Sequence, residues 1–319
     1  MRTRSFRTTT PDGWSLELTQ SVPAAPRPNQ PPLLIIPGYG MNDFIFRFHP
    51  TGASLVGHLV AGGLEVWSAN LRGQGRTRSA SRRPKPYGLE EQALVDLPAA
   101  IDFVRRRSGS ERVDLVGCSL GASLAYGYLA HTPDAPIRSF VSMGGPLRWS
   151  ALHPLLRVAF RSSRLAGALP IRGTRAGARF ALPIARRIPP LLHIYATPGR
   201  IDLSQADALV QTVEDPVPRL NAQIARWFRS VDLELGGLNV TDALSSVDRP
   251  VLCVVANQDG IVPPAAALAV RDVMPRVDVL AVGDAQSRYA HADLFISEGV
   301  QQDVFDPMLR WLEAPGGQP

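Results

Sequence analysis

Ser119 sits in "GCSLG" (residues 117–121), where an apolar run ends and a helix-like segment begins. A strand that turns sharply into a helix crowds its own backbone, so the residue at the tip needs small neighbours on both sides. Such a turn holds the Ser119 side chain above the sheet edge and directs Cys118 into the core. Ser119 is therefore the candidate nucleophile and Cys118 is packing. The competing reading is a serine that merely caps a helix.

A serine hydroxyl attacks poorly at neutral pH unless a base takes its proton and a third group orients that base. Of six histidines, only His291, in "SRYAHADLF", follows the last strand-like segment. Groups at the C-terminal ends of strands in a doubly wound sheet converge on one crevice, which singles out His291. His49, His58, His131, His153 and His193 read as structural or surface residues. Asp259, in "NQDGIVP", follows the preceding strand and suits the orienter. Asp284 and Asp293 compete with it, being closer to His291 in sequence. The order Ser119, Asp259, His291 is that of hydrolases with this turn. An acyl transition state also needs fixed N–H donors for its oxyanion. Leu120 offers one, and Tyr39, in "PGYG" between Gly38 and Gly40, offers a second. Phe44 and Phe46 could line an acyl pocket or could equally be core. No metal-ligand spacing, Walker lysine or dinucleotide fingerprint is present, so neither a metal nor a cofactor is expected.

These groups must be carried by a sheet. "LLIIPGYG", "LEVWSANLRGQG", "VDLVG", "IRSFVSMGG", "PVLCVVANQDG" and "VDVLAVG" carry short apolar runs that end at glycines, the pattern of parallel strands covered on both faces. Helix-like segments separate them, and a hairpin over residues 6–20 turns at Pro11-Asp12-Gly13. Alternating strand and helix predicts an α/β fold with a mostly parallel, eight-stranded sheet and helices on both faces. The alternation lapses from residue 147 to residue 245, where prolines punctuate irregular helices. The expected organisation is a core of residues 1–146 and 246–319 with a helical insertion, 147–245, after the sixth strand.

The chain of 319 residues carries a formal charge of +6, and Lys85 is its only lysine. Eleven arginines and no acid occur between Ala135 and Ile201. A solvated helical surface accounts for this run; an anionic surface or substrate is the alternative. No zinc-finger spacing or RNA-binding aromatic motif accompanies it, so no nucleic-acid partner is expected. The two cysteines do not form a disulfide framework. No secretory leader and no run of 18 apolar residues is found, so no transmembrane segment and a cytoplasmic location are expected.

With the serine turn, the glycine loop and the ordered acid and histidine in view, the chain resembles the α/β-hydrolase family over residues 6–146 and 246–313. "EVWSANLRGQGRTR" and "HADLF", followed by "VFDPMLRWLE", make it most similar to the lipase and polyhydroxyalkanoate-synthase-like branch. The synthases carry cysteine at the tip of the turn, where this chain has Ser119. Many relatives carry histidine where this chain has Pro37. The resemblance implies cofactor-free hydrolysis of a carboxylic ester, with residues 147–245 as a cap; the expected substrate is an apolar small-molecule acyl ester. A thioesterase or acyltransferase using the same three groups, and a non-catalytic binding module on the same fold, are the rival readings.

Overall fold

The computed structural model describes residues 1–168, 173–185 and 193–315. Strands β1 (Arg2–Thr9) and β2 (Trp14–Val22) form an antiparallel hairpin, closed by Gly13 at φ 84°. Strands β3 (Leu33–Ile36), β4 (Val66–Asn70), β6 (Val113–Cys118), β7 (Ile137–Met143), β10 (Val251–Ala256) and β11 (Val277–Val282) follow. The main sheet has the order β1-β2-β4-β3-β6-β7-β10-β11, parallel from β4 onward. These are the eight strands expected. A short additional strand, β5 (Arg78–Ser79), pairs with β2.

The apolar runs are strands because both faces are covered. One core packs Trp14, Leu34, Leu115, Tyr126 and Phe140 on one side. The other packs Leu33, Ile35, Val116, Phe295 and Trp311 on the opposite side. The helix Leu120–His131 descends from the end of β6 and is buried along nearly its whole length.

Two expected helices contain wider turns. Residues Gln92–Asp96 and Gln301–Phe305 are π-helical, and each leads into a helix with proline at its second position, Pro98 and Pro307. A proline ring clashes with the carbonyl four residues earlier and supplies no N–H, so the preceding turn widens.

Between β7 and β10 no strand joins the main sheet among the described residues. This stretch holds the helices Pro154–Ala159, Ser163–Ala168, Thr174–Ala185 and Pro218–Ser230, together with the hairpin β8 (Glu234–Leu235) and β9 (Leu238–Asn239). It touches the core at several places: Asn42 N–H donates to Thr212 O at 2.9 Å and Glu214 N–H to Gly40 O at 2.8 Å at the glycine loop, while Gly260 N–H donates to Ile194 O at 3.1 Å and Ala292 N–H to Tyr195 O at 2.7 Å. Among the described residues no helix is long and apolar enough to cross a membrane.

Candidate active site

Ser119 lies at the turn from β6 into the helix Leu120–His131, with φ 52° and ψ −123°. A non-glycine residue rarely adopts such a backbone, and holding it there requires support from its surroundings. Ser119 N–H donates to Met143 O at 2.8 Å. A side chain on Gly121 would begin 2.5 Å from the carbonyl oxygens of Ile36 and Pro37, so only glycine lets this helix sit against the β3 loop. The Ser119 hydroxyl makes no capping bond to the helix, which removes the cap reading. Cys118 is fully buried, and burial raises its thiol pKa well above the ordinary value.

The acid and the histidine meet. His291 Nδ1 lies 2.6 Å from Asp259 Oδ2, and both residues are buried. The other carboxylate oxygen, Oδ1, accepts the N–H groups of Ile261 at 2.9 Å and Val262 at 2.7 Å. One face of Asp259 is thus pinned by backbone while the other faces the imidazole. His291 Cε1 lies 3.3 Å from where a side chain at Gly144 would begin, one residue beyond the carbonyl that holds Ser119. Serine and imidazole therefore adjoin the same end of β7.

The two competing acids have other tasks. Asp293 accepts the Ala290 N–H at 2.7 Å and the Thr197 N–H at 3.1 Å, fixing the backbone around His291. Burial raises the Asp293 pKa, and these hydrogen bonds only partly offset the rise. Asp284 is exposed and accepts the N–H groups of Gln286 and Ser287 in a turn. Of the other five histidines, His58 pairs with Asp306, His131 meets Leu235 O, His49 accepts the Gly52 N–H and His153 the Leu155 N–H, while His193 lines a second cavity together with Asp259 and His153.

Tyr39, Gly38, Gly40 and Leu120 line a small cavity together with Leu124, Val217, Leu220 and Glu214, with about 20 Å³ for water-sized occupants; Ser119 and His291 are not in its lining. Phe44 and Phe46 are not among its lining residues. Phe46 has no exposed surface and packs on Phe295, because the short helix Phe44–Arg47 turns that ring into the core. Phe44 stacks on Phe48 instead, with ring centres 5.3 Å apart.

Four polar residues that the sequence reading left aside border this loop. Gln74 Nε2 donates to Gly38 O, Tyr39 Oη donates to Asn221 Oδ1, and Asn42 Nδ2 donates to Glu214 Oε1. The available signal was position: Gln74 belongs to "RGQG", a glycine loop that leaves the C-terminal end of a parallel strand.

The comparisons with known proteins fit this architecture. Residues 31–166 match the family model for the alpha/beta hydrolase fold. Over those residues the chain is similar to that family, and its architecture is that of the α/β-hydrolase fold. It is 32% identical over 126 residues to the lysosomal acid lipase/cholesteryl ester hydrolase of Homo sapiens, a match covering 37% of this chain and 30% of that protein. A homoserine O-acetyltransferase from Deinococcus radiodurans is 28% identical over 294 residues, covering 79% of this chain and 83% of that protein. Among solved structures, an esterase from Exiguobacterium antarcticum superposes with a TM-score of 0.67 at 12% identity, covering 98% of this chain and 100% of that one. The chain spans less than a third of the length of the lipases it matches. Esterase and lipase neighbours thus surround a hydrolase-fold chain.

Proposed function

We propose that the chain cleaves carboxylic esters by two-step acyl transfer at Ser119. The observation that carries this reading is the buried His291–Asp259 pair at the strand ends beside a strained, uncapped serine. Asp259 accepts the Nδ1–H of His291, which leaves Nε2 as the basic nitrogen. His291 takes the Ser119 proton as Oγ attacks the carbonyl carbon. The N–H groups of Tyr39 and Leu120 hold the oxyanion. The bond to the alcohol oxygen breaks, and His291 returns the proton to that oxygen. Water then repeats the sequence on the acyl-enzyme and releases the acid.

Residues 147–245 act as a cap in this reading. The cavity beside Leu120 has room for about one water molecule, and Leu124, Val217 and Leu220 make it partly apolar. The similarity to an acetyltransferase over 79% of this chain supports a second reading, in which an alcohol replaces water in the second step.

A fluorophosphonate probe tests the first step. One equivalent should label Ser119, and Ser119→Ala should take up none. A folded wild-type protein that resists the probe would favour a non-catalytic binding module. Hydrolysis of p-nitrophenyl acetate with and without added alcohol then separates hydrolysis from transfer.

A further inference from the structure

We infer that Gln74 is the positioning residue for the oxyanion donor at Tyr39; this rests on the esterase reading above. The peptide joining Gly38 to Tyr39 is one planar trans unit, so its C=O and N–H point in opposite directions. Whatever fixes the Gly38 carbonyl also aims the Tyr39 N–H. Gln74 Nε2 donates to that carbonyl at 3.1 Å.

The amide of Gln74 is itself held. Its Oε1 accepts the Leu71 N–H at 2.9 Å, and its backbone N–H donates to Leu71 O at 3.0 Å. Gln74 is buried, so neither end of the amide exchanges freely with water. Such an amide is costly to leave unpaired. If the Gly38–Tyr39 peptide rotated, Nε2 would lose its acceptor and the Tyr39 N–H would turn away from the developing charge.

The loop needs this restraint because of its own composition. Gly40 sits at φ 64°, and a side chain on Gly38 would begin 2.9 Å from both Cys118 O and Ser119 Cβ. Glycine is required for that approach, yet glycine also makes neighbouring peptides easy to rotate. The insertion holds the flanks, through Glu214 N–H on Gly40 O and Asn221 on the Tyr39 phenol. Gln74 holds the donor peptide itself.

Gln74→Glu keeps an acceptor for Leu71 but sets a carboxylate oxygen against the Gly38 carbonyl. Gln74→Leu removes both groups, and Gln74→Asn keeps both on a shorter arm. With p-nitrophenyl acetate, each variant that folds should lose about 10- to 100-fold in kcat with KM changed less than about 3-fold. Affinity for phenylboronic acid, whose Ser119 adduct places an oxyanion in the hole, should weaken by a similar factor. Affinity for p-nitrophenyl ethyl ether, which forms no adduct, should stay unchanged. A kcat within about 2-fold of wild type, or a fall in kcat with boronate affinity intact, would overturn the assignment. A wild-type protein without esterase activity or probe labelling would instead sink the underlying esterase reading.

Discussion

Strain at Ser119 makes a prediction that does not depend on substrate. Backbone angles of φ 52° and ψ −123° cost a non-glycine residue about 1–3 kcal/mol. Ser119→Gly relieves that strain but frees the unfolded chain, at a cost of about 0.4–1 kcal/mol. Urea denaturation should therefore find this variant more stable by about 1 kcal/mol and inactive. For activity, Ser119→Ala and His291→Ala should each lower kcat on the order of 10⁴-fold or more, and Asp259→Asn by about 10⁴-fold, because an amide facing Nδ1 favours the wrong tautomer. Steady-state kinetics on p-nitrophenyl acetate checks all three. Legibility at this scale followed chemistry. Ser119 and His291 stood out because few residues of their kind follow a strand. Asp259 is favoured over Asp284 and Asp293 on sequence because it follows the strand before the one that leads to His291. In the structure the 2.6 Å contact between Asp259 Oδ2 and His291 Nδ1 distinguishes it, since all three carboxylates also accept backbone N–H groups.

Elements bring these residues together through buried polar ties. Arg72, in the loop after β4, spans from Asp96 at 2.6 Å to Asp12 at 2.8 Å, joining the helix before β6 to the first hairpin. Arg72→Met would leave Asp96 as an unpaired charge with no exposed surface, at a cost of about 3–5 kcal/mol. A urea titration should show this as a large drop in midpoint. The phenol of Tyr39 links the glycine loop to the helix Pro218–Ser230, and burial pushes its pKa up to about 12. The folded value exceeds the ordinary 10, so this contribution is fully present below pH 10 and is lost as pH rises toward 12. The denaturation midpoint should fall over that window, and less steeply for Tyr39→Phe. The strands were readable because apolar runs on both faces leave little choice of structure. The π-helical turns were not, because a pattern of apolar spacing does not register the widening that Pro98 and Pro307 impose.

Across the whole molecule, the arginine-rich stretch is less exposed as charge than its composition suggests. Arg138, Arg148, Arg175 and Arg179 pair with Asp114, Asp232, Glu214 and Asp207, which all lie outside the stretch. Residues 147–245 were the least legible region for the same reason: their partners are remote in sequence, as with Asn42 and Glu214 or Tyr39 and Asn221. Phe46 stood evenly between pocket and core on sequence, and its packing on Phe295 places it in the core. The segment that roofs the small cavity beside Leu120 is also the one that grips the glycine loop, through Thr212, Glu214 and Asn221. Any substitution that enlarges this space should therefore slacken the glycine loop as well, and with it the Tyr39 donor of the proposed mechanism.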